Sequence, residues 1–243
     1  MGERVERHVL GFLPSRCGLR FTNHFPPGPV LAVPLPGAGA VPVGDASRGL
    51  CGGMVFAVRD YFEAGVPPPG GEEPPAWGSL LFAHLVRRLF DSFRLPSGPL
   101  KYYAWMSLPD HDTWYARGLL RRTFREEWPR IRAELDRGRP SALGFIRHRS
   151  ANPFRVGENH QVLAYGYTRG AAGEVTLRIY DPNHGPRDDL TMTFDPAAAP
   201  GTGSVSYSTG EHVRGFFHTP YRRPRFRPGG GLPGVPGPPA GVR

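Results

Sequence analysis

The sequence predicts an α+β fold, in which a mainly helical N-terminal half packs on an antiparallel β-sheet formed by the C-terminal half. Between residues 45 and 138, apolar residues recur at three- and four-residue spacing, which is typical of helices. From residue 139 to 219, short β-branched and aromatic segments are separated by Gly and Pro at hairpin-like intervals. Helices followed by strands, rather than alternating with them, indicate an α+β protein. We expect a single domain over residues 1–219.

Composition narrows the class of protein. The chain has 243 residues, of which 39% are hydrophobic, so it can bury a substantial core. Two cysteines, Cys17 and Cys51, are too few for a disulfide framework. We find no signal peptide and no run of about 18 apolar residues that could span a membrane. The cytoplasm is therefore the expected location, and export by another route stays open.

The basic charge is concentrated at the C-terminus. Residues 220–243 hold five arginines and no acid, and so supply five of the nine net positive charges. The remaining excess is ordinary for a globular domain and does not indicate a nucleic-acid-binding fold. Because Arg, Pro and Gly dominate from Pro220 on, we predict a disordered tail that contributes nothing to the fold. We expect this tail to make at most weak contacts with polyanions.

The predicted elements follow in chain order. Residues 1–44 are interpreted as a segment that wraps the domain surface, because prolines interrupt its apolar residues. Helices are predicted over residues 51–62, 77–93, 100–106 and 128–138, with a weaker helical pattern over 113–125. Strands are predicted over residues 141–146, 161–167, 175–180, 190–194, 204–207 and 213–217.

The first candidate for chemistry is Cys51, which we place at the first turn of a buried helix. Gly49, Gly52 and Gly53 flank it, and a dense apolar run follows. Unpaired backbone N–H groups and the positive end of the helix dipole favour a thiolate at that position. We interpret the glycines as leaving room for a substrate backbone to approach. An isolated cysteine in such a helix would more often be an inert core residue, so the interpretation depends on its partners.

Two further residues supply those partners. His160 stands at the start of a predicted strand, and Asp181 stands directly after the next one. Antiparallel strands joined by a hairpin bring the start of one beside the end of the other, so the two side chains should be neighbours. A carboxylate beside an imidazole fixes its tautomer and stabilises its protonated form. The set lacks only a nucleophile, and Cys51 is the candidate.

On these residues the chain resembles the papain-like cysteine peptidases, and most of all the peptidases that process bacteriocin leaders at a double glycine. The shared pattern is a Cys-Gly that opens a helix, a later His-x-Val strand and an Asp-Pro after the following strand, over about residues 44–195. The resemblance implies a bacterial cysteine hydrolase of papain-like fold that acts on a peptide or amide substrate. It implies that Cys51 is the nucleophile, His160 the general base and acid, and Asp181 the orienting group. Asn183 is the alternative for this third role.

One part of the family pattern is absent. These peptidases carry a Gln a few residues before the Cys, whose amide completes the oxyanion hole, whereas residues 45–48 here are Asp-Ala-Ser-Arg. We nominate Asn23 as the replacement donor, together with the Cys51 backbone N–H.

Three alternatives stay open at this point. The missing Gln favours a catalytically inactive papain-like domain that serves binding or scaffolding. A transglutaminase-type acyl transferase also uses Cys, His and Asp in this order, although the separation from Cys51 to His160 is long for it. His184, His212 and His218 could ligate a metal with Asp181 or Asp188, but no metal-binding motif supports this. We therefore expect neither a metal nor another cofactor.

Overall fold

The computed structural model describes residues 4–28, 30–35, 39–43, 45–94, 97–199, 201–224 and 231–235. The helices are α1 (Pro14–Cys17), α2 (Cys51–Glu63), α3 (Leu80–Phe93), α4 (Ser97–Met106), α5 (Leu119–Arg122) and α6 (Trp128–Asp136). A π-helical turn, Thr123–Glu127, joins α5 to α6, and 3-10 turns cover Ala46–Arg48 and Pro153–Glu158. In the described part of the chain, no helix combines the length and apolar character that crossing a membrane would require.

The strands are β1 (Val5–His8), β2 (Leu31–Leu35), β3 (Gly39–Val43), β4 (Ser141–Ile146), β5 (His160–Arg169), β6 (Val175–Tyr180), β7 (Thr191–Phe194), β8 (Val205–Tyr207) and β9 (Gly215–Thr219). Among them, β2 and β3 form a separate hairpin. The others form one antiparallel sheet in the order β8-β7-β6-β5-β4-β9, and β1 also pairs with β5. The combination of helices with one large antiparallel sheet confirms the predicted α+β class.

The N-terminal segment differs from the expected surface wrap. Strand β1 pairs with the second half of β5, with Val5 opposite Arg169 and His8 opposite Gly166. Strand β4 pairs with the first half of β5, from His160 to Ala164. The two strands therefore lie end to end along one edge of β5, because β6 occupies the other edge. The short polar sequence of β1 carries no strand period that would have predicted this pairing.

Helix α2 lies at the centre of the molecule. Every residue from Gly52 to Tyr61 is buried, so the helix has no solvent-facing side. It packs against α3 and against β5. The close approach requires the two glycines of its first turn. A Cβ on Gly52 would collide with the Ser92 hydroxyl of α3, and one on Gly53 would collide with the backbone carbonyl of Leu85. The interpretation of these glycines as room for a substrate is therefore wrong, because α3 fills that space.

The outer edge of the sheet explains the π-helical turn. Strand β9 is the last strand on its side, and such an edge leaves backbone N–H groups unpaired. Thr123 Oγ1 accepts the N–H of Phe216 at 3.2 Å, and Glu127 Oε2 accepts the N–H of His218 at 2.9 Å. The wide turn thus brings two acceptors into register with alternate residues of the strand. The weaker helical prediction over residues 113–125 is therefore correct only from Leu119 on, because residues 113–118 form a loop.

The start of the C-terminal segment differs from the predicted disordered tail. The ring of Tyr221 packs on Phe56 of α2, and its hydroxyl donates to Asp60 at 2.7 Å. Leu232 and Val235 pack against the main core, and Tyr61 donates to the Pro233 carbonyl at 2.8 Å. These residues cover the back of α2, which the helices and the sheet leave open. Residues 225–230 and 236–243, where the remaining tail prediction falls, lie outside the described part of the chain.

Candidate active site

The candidate nucleophile lies at the first residue of α2. Cys51 is half-buried, and Leu50 before it has no side chain that could cap the helix. The first N–H groups of a helix have no partner within the helix, so they surround the thiol with donors. Gly49 enters this turn with φ of 85°, a conformation that favours glycine. The sharp turn at Gly49 therefore places Cys51 at the N-terminus of a long buried helix, where the helix dipole is positive.

His160 and Asp181 meet as strand pairing predicts. His160 is the first residue of β5, Asp181 directly follows β6, and His160 Nε2 lies 2.7 Å from Asp181 Oδ1. Both residues are buried. The Cys51 sulfur lies close enough to His160 to raise the pKa of the imidazole. Because Asp181 occupies Nε2, the Nδ1 atom is the ring nitrogen left for the thiol. The structure thus brings together the three residues that the sequence nominated.

The ionisation of His160 and Asp181 follows from their contacts. Burial disfavours the charged form of His160, but the Asp181 carboxylate and the Cys51 sulfur outweigh it and raise the pKa of His160 to about 10. Burial also opposes ionisation of Asp181, whereas the charge and hydrogen bond of His160 hold the pKa of Asp181 below its usual value. Both directions describe an imidazolium held against a carboxylate, with the Cys51 sulfur nearby.

Asp181 has two further donors that fix its orientation. Tyr207 of β8 donates its hydroxyl to Oδ2 at 2.7 Å, and the backbone N–H of Asn183 donates to Oδ1 at 2.8 Å. Burial, followed by the nearby Asp181 charge, raises the pKa of Tyr207 above its ordinary value, so this hydroxyl stays a donor. Sequence reasoning missed Tyr207, because only the pairing of β8 with β7 brings it across the sheet to the end of β6.

The two asparagines nominated from the sequence lie beside the site and contact each other. Asn23 Oδ1 accepts the backbone N–H of Leu50 at 2.5 Å, and Asn23 Nδ2 donates to Asn183 Oδ1 at 3.0 Å. Asn23 therefore lies against the turn that precedes Cys51, with one of its two amide hydrogens committed to Asn183. Asn183 contacts Asp181 through its backbone, while Asp181 itself takes the position beside His160.

The sequence-nominated metal ligands separate in the structure, with one exception. His218 belongs to β9, where Glu127 accepts its backbone N–H, and Asp188 accepts two hydrogen bonds from Ser15. His184, by contrast, lies near Asp181, and Glu211 joins them. Sequence reasoning missed Glu211, which lies in the loop before β9.

In comparisons with known proteins, no family model matches the sequence, and neither a curated protein nor a solved structure matches the chain.

Proposed function

We propose that the protein is a cysteine hydrolase of papain-like fold that cleaves a peptide or amide bond through an acyl-thioenzyme. The observation that carries this proposal is the buried His160, which is hydrogen-bonded to Asp181 and lies close enough to the Cys51 sulfur for that sulfur to raise its pKa. A nucleophile, a base and a group that orients the base, in contact in that order, form the arrangement that covalent acyl transfer requires.

In the proposed mechanism the Cys51 sulfur attacks the carbonyl carbon, and the carbonyl oxygen takes the negative charge. His160 then gives its proton to the departing nitrogen as the C–N bond breaks, which leaves the acyl group on sulfur. Water attacks the thioester, His160 takes a proton from it, and the acid leaves with the thiolate restored. Asp181 holds the imidazole ring in one tautomer throughout.

The proposed oxyanion hole combines the Cys51 backbone N–H with the second amide hydrogen of Asn23. Support comes from the bond between Asn23 Oδ1 and the N–H of Leu50, which fixes the amide next to the backbone of Cys51. Asn23 would thus replace, from a segment far earlier in the chain, the Gln that papain-like peptidases place before the nucleophile. Removing one donor of such a hole lowers the rate by about 100- to 1,000-fold.

The proposal is tested by labelling with an electrophilic activity-based thiol probe, with the site identified by peptide mass spectrometry. We expect rapid labelling of Cys51 in the wild type, none at that position in Cys51→Ala, and labelling slowed by at least about 100-fold in His160→Ala. Cys17, a half-buried cysteine whose thiol contacts only the Gly11 carbonyl among the hydrogen bonds described, is an internal control.

Two variants test whether Asp181 or Asn183 orients His160. Asp181→Asn keeps an oxygen acceptor but removes the charge, and we expect it to slow labelling strongly, whereas Asn183→Ala should leave most of the rate. Labelling of Cys51 that is no faster than that of Cys17, and that is unaffected by His160→Ala, would contradict the proposal and favour a binding or scaffolding domain. Incorporation of an amine without hydrolysis would instead indicate an acyl transferase.

A further inference from the structure

A second group of polar side chains shares Asp181 with the candidate triad. Asp181, His184 and Glu211 each offer one metal-ligating atom, and these atoms all lie within 4.8 Å of one another. His184 Nε2 and Glu211 Oε2 are already 3.4 Å apart. Two ligands of a tetrahedral zinc ion, each about 2.0–2.2 Å from the metal, are separated by about 3.4 Å. Only a small movement of one side chain would therefore bring three donors to bonding distance.

The backbone holds these donors in place. The N–H of His184 donates to the Asp181 carbonyl at 3.1 Å, so both residues belong to one tight turn after β6. Glu211 is fixed from two sides, since Thr209 Oγ1 accepts its N–H at 3.2 Å and Arg147 binds its Oε1 at 2.7 Å. Arg147 thus leaves Oε2 facing His184. Because these hydrogen bonds already restrict the side chains, an ion that binds there costs less conformational entropy.

Asp181 and Glu211 each have a free electron pair, and His184 gains one at Nε2 when it gives up the proton that it shares with Glu211. Tyr207 is the described hydrogen-bond donor to Asp181 Oδ2, and an ionised carboxylate oxygen accepts about two. Glu211 Oε2 is shared weakly with Thr209 at 3.4 Å. Neutral imidazole with two carboxylates is a donor set that suits zinc and similar divalent ions. One histidine and two acids also distinguish the group from an ordinary acidic surface cluster.

Two of the three proposed ligands are partly exposed, whereas Asp181 is buried. His184 and Glu211 line a polar cavity of about 330 Å³ together with Asn23 and Gly49. A hydrated ion could enter there and keep water at its remaining position. The same cavity lies next to the turn that carries Cys51, so an ion in it would lie beside the site of the proposed chemistry.

We propose that Asp181, His184 and Glu211 form an inhibitory site for a divalent ion of the zinc type. An ion bound to Oδ2 of Asp181 draws negative charge away from Oδ1, the oxygen that holds His160, and its own positive charge opposes the protonated form of His160. The binding step stands on the three side chains alone. The inhibition rests on the proposed function.

Binding is tested by titrating Zn²⁺ into the full-length Cys51→Ala variant, in a buffer that does not chelate zinc, and measuring the heat. Removing the thiol excludes a zinc site between Cys51 and His160. We expect one equivalent of zinc to bind, and His184→Ala or Glu211→Gln to weaken binding by about 10- to 100-fold or more. The matched control is His212→Ala, which removes an exposed histidine next to Glu211 in the chain.

Inhibition is tested separately on proteins that retain Cys51. Zinc should slow probe labelling of Cys51 in the wild type and in His212→Ala, and should lose this effect in His184→Ala. The inference is overturned if zinc does not bind to Cys51→Ala, or if His184→Ala binds it as tightly as the parent. If zinc binds as described but Cys51 is unreactive in every variant, the metal site stands and the proposed function fails.

Discussion

Replacing Asp60 with alanine should strongly destabilise the protein, because it removes the carboxylate that balances a buried guanidinium. Asp60 lies on α2, nine residues after Cys51, and its side chain is fully buried. It binds the Arg88 guanidinium at 2.8 and 2.9 Å, His84 at 3.1 Å and the Tyr221 hydroxyl at 2.7 Å. Arg88 is only 1% exposed, so the carboxylate is the main charge that balances it.

The magnitude follows from what the substitution leaves behind. Breaking a buried ion pair by removing one partner costs about 3–5 kcal/mol, because the other charge stays buried without compensation. For a chain of this size, about 1 kcal/mol shifts the melting temperature by about 2–4 °C. Asp60→Ala should therefore lower the melting temperature by about 6–20 °C.

Two further variants measure how much the other contacts of Asp60 and Arg88 contribute to the stability. Asp91→Ala removes another partner of the same guanidinium, at 2.6 Å, but Asp91 is 43% exposed and should contribute less than about 1 kcal/mol. Tyr221→Phe removes one hydrogen bond to the buried carboxylate and should cost about 1.5 kcal/mol, the lower end for a bond to a charged group. Urea unfolding followed by circular dichroism measures all three free energies. If Asp60→Ala costs no more than Asp91→Ala, the charge of Arg88 is not balanced by Asp60 and the reasoning is refuted.

Three more predictions follow from the site and its packing. Asn23→Asp keeps an acceptor for the backbone N–H of Leu50 but removes the amide donor, including its hydrogen bond to Asn183. Turnover of a peptide or amide substrate should fall by about 100- to 1,000-fold; an unchanged rate would exclude Asn23 from the oxyanion hole. Because the folded-state pKa of His160 is raised from 6.5 to about 10, the stability that this histidine contributes is complete below about pH 6.5 and disappears as the pH rises through 10. The difference in the free energy of unfolding between the wild type and His160→Gln, measured with urea across that pH range, should show this loss. A difference that stays constant with pH would contradict the prediction. Gly52→Ala should cost about 1–3 kcal/mol, because the added methyl group collides with the Ser92 hydroxyl and the Gln161 side chain. Ser92→Ala removes the closer of these contacts and should restore part of the loss in the double variant; no rescue would place the strain at Gln161.

The sequence alone determined the class of fold and the members of the candidate triad. Helical spacing and hairpin punctuation are local properties, so they indicated α2 and β4 to β9 to within a few residues. The contact between His160 and Asp181 was also predictable, since one hairpin fixes which strand ends meet. Cys51 could be nominated because a glycine-flanked cysteine before an apolar run is a local pattern as well.

Only the tertiary structure decided how distant segments complete these parts. Tyr207 and Glu211 reach Asp181 because β8 and the loop before β9 fold back across the sheet, and no local pattern in the sequence encodes that return. Gly52 is required by the side chains of Ser92 and Gln161, which belong to another helix and to the sheet, rather than by a substrate. Tyr221 belongs to the core because α2 carries a buried carboxylate that needs a donor, although the Pro- and Arg-rich sequence around it predicts disorder. Local patterns set the elements, whereas the partners of buried polar groups depend on which segments the complete fold brings together.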